Sequence, residues 1–149
     1  MNEVCIPGAA PHSVRTQPKV QKGSVICLAH QSEVLRANPW GDPVDRPVHV
    51  YLPAGYTDSA PPYIALWDLA AFSNSGHGHL NWRGHGENLP ARLDRLIGTG
   101  CMPPVVVVLP DCYTSLGGNQ YVNSVAVGQY ADYLIDELLP FVTSRVNVI

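Results

Sequence analysis

Charge is scarce in this sequence. Asp, Glu, Lys and Arg make up 14% of its 149 residues, against about 25% in ordinary soluble domains. No basic stripe appears, and the net charge is −3 with a pI near 6.0, which argues against nucleic acid as a partner. Long apolar runs are also missing. Stretches such as Val105–Leu109 fall far short of the roughly 20 residues that cross a bilayer, so no membrane association is expected. Met1–Gly8 has neither the basic flank nor the apolar segment of a secretory leader, and a cytoplasmic chain is expected. No Cys-x-x-Cys spacing occurs. Cys5, Cys27, Cys101 and Cys112 are scattered and read as reduced thiols, three of them packed in the core, not as a disulfide framework. Gly76, Gly78, Gly84 and Gly86 crowd one loop, but neither a Walker lysine nor a helix-opening G-x-G-x-x-G accompanies them, so they read as loop glycines.

What is present is apolar. Hydrophobic residues account for 46% of the chain, too many for a disordered tail. The length suits one domain. Low charge combined with high apolar content fits a piece of a larger core, with part of its surface covered.

The pattern along the chain alternates strands and helices. Residues 1–22, with Pro7, Pro11 and Pro18, read as an irregular arm, and residues 23–149 as the domain. Ser24–His30 and Val48–Pro53, separated by the turn cluster Asn38–Pro43, predict an antiparallel pair. Tyr63–Asp68 predicts a buried strand. A long polar loop follows from Leu69 to Glu87, and loops of that length are commonly functional. Asn88 predicts a helix cap with Pro90 in the first turn, and Leu89, Leu93, Leu96 and Ile97 share one face up to Gly98. Four consecutive valines, Val105–Val108, predict a strand buried on both faces. A final helix is expected over Val127–Ser144, kinked or shortened at Pro140.

This order predicts an α/β fold: an antiparallel hairpin at one edge, then parallel strands with covering helices. Ligands of such sheets bind beyond the carboxyl ends of the parallel strands. Those ends are Asp68 and Asp111. Both residues also suit the simpler role of capping loop amides. Trp82, Asn119, Tyr121 and Asn123 belong to the loops on the same side and are candidate substrate-side residues. Trp67 lies in a strand and reads as core. His77, His79 and His85, with Glu87 nearby, offer an alternative zinc or copper site; the plainer reading is a polar loop with incidental histidines. No cofactor is implied.

Four segments carry a resemblance to a known family. Val50–Tyr56 resembles a strand ending in a "VYLPxGY" turn, and Leu66–Leu69 an "LLDG" strand end. Gly86–Pro90 through Pro103–Asp111 resembles the helix and strand that follow. Gly117–Ser124, with Tyr130–Leu134 and Glu137–Phe141, resembles the loop and helix before a nucleophile strand. Together they resemble the N-terminal half of α/β-hydrolase esterases of the esterase D and enterochelin-esterase type, over about Val25–Val142. The resemblance implies an incomplete α/β-hydrolase sheet with strand order 1-2-4-3-5, and a chain that ends before the G-x-S-x-G nucleophile elbow, a motif absent from this sequence. No catalytic serine, histidine or acid is therefore assigned. What the resemblance leaves is one oxyanion-hole donor, the backbone N–H near Ala70, with Leu69 standing where the family has glycine.

The resemblance implies a small-molecule ester as substrate once the missing half is present, and inactivity of this chain alone. It also leaves the strand Tyr63–Asp68 as an open edge. A second reading is then a non-enzymatic module that associates with another copy, or with a complementing fragment, through that edge.

Overall fold

The computed structural model describes residues 19–82 and 85–149. Of the residues expected to form an irregular arm (1–22), residues 1–18, including Cys5, lie outside the described residues. The main sheet consists of β1 (Ser24–Gln31), β2 (Asp45–Leu52), β3 (Ile64–Trp67) and β4 (Val105–Pro110), in the order β1-β2-β4-β3. β1 pairs antiparallel with β2 and β2 antiparallel with β4, while β3 and β4 run parallel. This is the order the family resemblance implies, with the antiparallel hairpin at one edge that the sequence pattern predicts.

β4 sets the layering. All six of its residues are buried, as its run of valines without alternation requires. Val106 and Val108 join Val48 and Val50 in a cluster with Tyr130, Tyr133, Leu138 and Val142. Val105, Val107 and Leu109 join Tyr51 and Leu93 on the other side. The second face is covered by α2 (Leu89–Gly98). Asn88 caps it as expected, its side-chain oxygen accepting from Ala91 N at 3.0 Å. A further short helix, α1 (Gly76–Leu80), lies within the loop after β3. Apolar periodicity gives no warning of it, because the segment is glycine and histidine up to a single leucine, Leu80, and is capped by Ser75. No helix among the described residues is long and apolar enough to cross a membrane.

The C-terminal helix departs from its predicted span. Asn123–Ser124 (β5) and Gly128–Gln129 (β6) form a small antiparallel hairpin first. Helical structure then starts at Tyr130, with α3 (Tyr130–Asp132), a π-helical segment (Tyr133–Leu138) and α4 (Leu139–Thr143). Pro140 brings no N–H to the ladder, and the wide turn directly precedes it.

Three expectations need correction. The strand predicted as buried, Tyr63–Asp68, leaves Ile64 and Leu66 exposed. The strand Tyr63–Asp68 is not a bare edge. Tyr63 N donates to Asn147 O at 3.0 Å, Ile149 N to Tyr63 O at 3.0 Å and Ala65 N to Ile149 O at 3.3 Å. Tyr63 and Val148 form a parallel bridge, so the C-terminal residues start a strand on the outer side of β3. The cysteines are also less buried than expected. Cys27 and Cys101 are exposed and only Cys112 is buried among those described. Cys27 occupies an outward position of the edge strand β1, and Cys101 lies in the turn after α2. Burial pushes the Cys112 thiol up to about 12.

Glu137 ties the hairpin end of the sheet to the C-terminal helix. Ser32 Oγ donates to it at 2.5 Å, Glu33 N at 2.8 Å and Val34 N at 2.9 Å, with His30 Nε2 at 3.4 Å. Burial alone would raise its pKa, but these hydrogen bonds outweigh that and hold it below the ordinary value of 4.5. The linkage follows from the sign: the carboxylate contributes stability fully above that ordinary value, and the contribution is lost as pH falls through the lower folded-state value. Urea midpoints measured between about pH 3 and pH 7 are expected to fall at the acid end, and Glu137→Gln is expected to flatten that segment and lower the midpoint at neutral pH.

Candidate functional site

The loops beyond the carboxyl ends of β3 and β4 face each other and are stitched together. Asp68 N still follows the sheet, donating to Val108 O at 2.8 Å. The Asp68 carboxylate pairs with His79 Nδ1, which fastens α1 to the end of β3. Gly76 opens that helix against β4: a Cβ there would stand 3.0 Å from Pro110 O.

Further along, Gly118 N donates to Phe72 O at 2.7 Å. A side chain at Gly118 would meet the Phe72 carbonyl at 2.0 Å, so only glycine permits this crossing. Tyr121 adds a second stitch, its hydroxyl donating to Ala70 O at 2.5 Å. Tyr121 has φ +58, the one positive value among described non-glycine residues. Its N–H is captured by Asn119 Oδ1 at 2.5 Å, and that bond offsets the cost of a left-handed backbone. Burial raises the Tyr121 phenol to about 12, with Cys112 and Asp68 adding to the effect, so it stays a proton donor at neutral pH.

Trp67 and Tyr121 share a hollow of about 350 Å³ with Leu69, Leu134, Ile135 and Leu139. Its walls are apolar, and it lies between the end of β3 and the C-terminal helix. The structure thus brings Asp68, Ala70, Asn119 and Tyr121 together on one surface.

Other candidates go elsewhere. Asp111 accepts from Tyr113 N at 3.1 Å and lies 3.5 Å from Arg46 Nη1, which is the loop-capping role open to it from sequence. Asn123 caps the C-terminal helix: its oxygen accepts from Ala131 N and Asp132 N, both at 3.1 Å, and its amide donates to Asp132. Trp82 is 88% exposed and lines a separate hollow with Lys19, Lys22, Glu87 and Arg95 beside α2. The loop histidines do not converge. His79 is taken by Asp68, His77 packs its ring 4.2 Å from that of His49, and His85 is exposed. Among the described residues no three His, Cys, Asp or Glu side chains are grouped to hold a metal ion. Burial, followed by the charge of His77, lowers the pKa of His49.

Two arrangements are not legible from motifs. Arg46 is 3% exposed and donates to Tyr113 O at 2.7 Å and to Tyr130 OH at 3.0 Å, anchoring the loop after β4 from below. Its one signal is position, a charge sharing the inward phase of Val48 and Val50. Ser32, His30 and Glu137 assemble a serine, a histidine and an acid, but in the wrong order. The serine bonds the carboxylate rather than the imidazole and is wholly buried, so no nucleophile is generated.

No protein-family model matches the sequence, and a comparison with curated proteins finds no match. Solved structures do match. A ferulic acid esterase superimposes with a TM-score of 0.64 at 20% identity, over 87% of this chain and 47% of its own. A ferulic acid esterase from Anaeromyces mucronatus, in complex with ferulic acid, gives 0.63 at 17% identity over 99% and 52%. An S-formylglutathione hydrolase from Agrobacterium tumefaciens gives 0.52 at 17% identity over 86% and 46%. The chain has the α/β-hydrolase fold and spans about half the length of these structures.

Gly118→Ala is expected to lower stability by about 1–3 kcal/mol through overpacking, with faster hydrogen exchange at the Tyr121 amide. Tyr121→Phe is expected to cost about 1 kcal/mol, the worth of one hydrogen bond. Thermal melts and exchange rates of the two variants check both values.

Proposed function

We propose that this chain forms the N-terminal half of a serine carboxylic-ester hydrolase and does not turn over esters by itself. In the complete enzyme a serine attacks the acyl carbon, an acyl-enzyme forms, and water activated by a histidine releases the acid. This chain contributes the sheet, the substrate-side loops with Asp68, Asn119 and Tyr121, and the backbone N–H of Ala70 as one oxyanion donor. Ala70 is 4% exposed, and the bond from Tyr121 fixes its carbonyl. The observation that carries the reading is the pairing of Asn147–Ile149 along β3. These residues run parallel to β3, in the place and direction of a fifth strand. Ala65 C=O and Trp67 N–H face the same outer edge by alternation along β3, ready to take a strand continuing in this register. Unpaired thiols at Cys27, Cys101 and Cys112 support a reducing, cytoplasmic setting.

A second reading is favoured by Ile64 and Leu66, which are 55% and 44% exposed on β3. Such apolar exposure at a sheet edge suits association with another copy or a complementing fragment. Size-exclusion chromatography separates the readings: a defined dimer dispersed by Leu66→Lys supports association between copies.

The purified chain is expected to hydrolyse short p-nitrophenyl esters no faster than buffer and to escape labelling by a fluorophosphonate. Stoichiometric serine labelling, or turnover abolished by it, would overturn the proposal.

A further inference from the structure

β1 forms the edge of the sheet opposite β3, on the side away from Asn147–Ile149. Among the described residues it pairs with β2 alone. Its eight residues, SVICLAHQ, include no proline and no Lys, Arg, Asp or Glu. Its register with β2 runs without a bulge from Ser24 opposite Leu52 to Gln31 opposite Asp45. Sheet edges are ordinarily blunted by charge, proline, a bulge or shortness, and this one has none of these.

One bond fixes which backbone groups the edge presents. Ser32 N donates to Val44 O at 2.9 Å, and these residues continue the register of β1 with β2, so they form a hydrogen-bonded pair. Alternation then turns the N–H and C=O of Ile26, Leu28 and His30 toward β2, and those of Val25, Cys27, Ala29 and Gln31 away from it. The side chains of the same four residues are on the exposed face of the strand, with Val25 40% exposed. A hollow of about 430 Å³ borders the strand there. Cys27, Ala29, Gln31, Asp45 and Pro47 share that face, and His30 and Arg46 complete the lining.

We propose that β1 pairs antiparallel with β1 of a second copy, about a twofold axis through Cys27, joining two four-stranded sheets into one. Only residues with outward backbone groups can bond one another across the axis. With Cys27 opposite itself, Val25 faces Ala29 on one side of the sheet and Ile26 faces Leu28 on the other, so each cross-strand pair is apolar. An axis through Leu28 would set Val25 against Gln31 and Ile26 against His30, and one through Ile26 would shorten the overlap. Shape agrees, because Ala29 is small and Val25 of the second copy projects beside it into the hollow. Charge agrees as well. The strand has no charged side chain to oppose its own copy, and antiparallel alignment brings Lys22 of one copy beside Ser32 and Glu33 of the other. Parallel alignment would set lysine against lysine. A contact with this symmetry closes at two copies. It uses neither the β3 edge nor the site loops, so it stands apart from the question of ester turnover.

Sedimentation velocity of the full 149-residue chain, run from micromolar to millimolar concentration, tests the proposal. A reversible monomer–dimer equilibrium is expected. Cys27→Lys and Cys27→Glu each set like charges across the axis and are each expected to raise the dimer dissociation constant by about tenfold. An equimolar mixture of the two is expected to dimerise at least as tightly as the parent, since lysine then faces glutamate. Ala29→Pro removes one outward N–H and leaves the ladder to β2 whole; it is expected to weaken the dimer too, and decides the matter if a Cys27 variant fails to fold. Leu66→Lys, on the far edge, is expected to change nothing. A chain that stays monomeric throughout overturns the proposal. So does a dimer dispersed by Leu66→Lys but indifferent to Cys27→Lys and Ala29→Pro. Folded Cys27→Lys and Cys27→Glu chains whose mixture stays monomeric overturn it as well.

Discussion

Burial of β4 on both faces is the constraint from which the rest of the structure follows. A strand of valines has no side to offer water, so the chain must cover it twice. α2 covers one face through Leu93, and the C-terminal helix covers the other through Tyr133, Leu138 and Val142. Neighbouring strands complete the enclosure edgewise. β2 lies antiparallel on one side and β3 parallel on the other, and the parallel pair points two carboxyl ends in the same direction. The loops that leave those ends have no alternative to meeting each other.

Their meeting is specific rather than incidental. A glycine passes within hydrogen-bonding distance of the opposite backbone, and a tyrosine in a left-handed conformation reaches back to the carbonyl of Ala70. The polar groups used are mostly main chain, so the surface keeps its form without spending charge. That agrees with a sequence in which charge is scarce and the few buried ions, such as Arg46, brace loops instead of facing a ligand.

Much of the sheet was legible in the sequence because each strand carries its own period. Unbroken valine marks β4, alternation marks β2, and Pro61–Pro62 precede β3. Asn88 and Pro90 mark the start of α2 through cap chemistry. Elements that depend on tertiary partners were harder to read. α1 has one apolar side chain, Leu80, among glycines and histidines, and exists because Asp68 holds His79 and because Gly76 fits against β4. The C-terminal helix starts late because Asn123 caps it only after the β5–β6 hairpin has brought the chain around. Among candidate site residues, Asp68, Asn119 and Tyr121 lie near one another beyond the strand ends, where the sequence puts them. Trp82 and Asn123 satisfied the same positional rule, yet one turned to α2 and the other to a helix terminus, since position along a loop does not fix direction.

The contrast among the cysteines has a practical consequence. Cys27 and Cys101 are open to solvent, whereas Cys112 sits in the same core cluster as Tyr133 and keeps its proton at neutral pH. Thiol reagents act on the thiolate, so the two outer positions react promptly and the inner one only when the packing around it opens. The lag between them is a built-in clock for breathing of the interior, readable by mass with no engineered label.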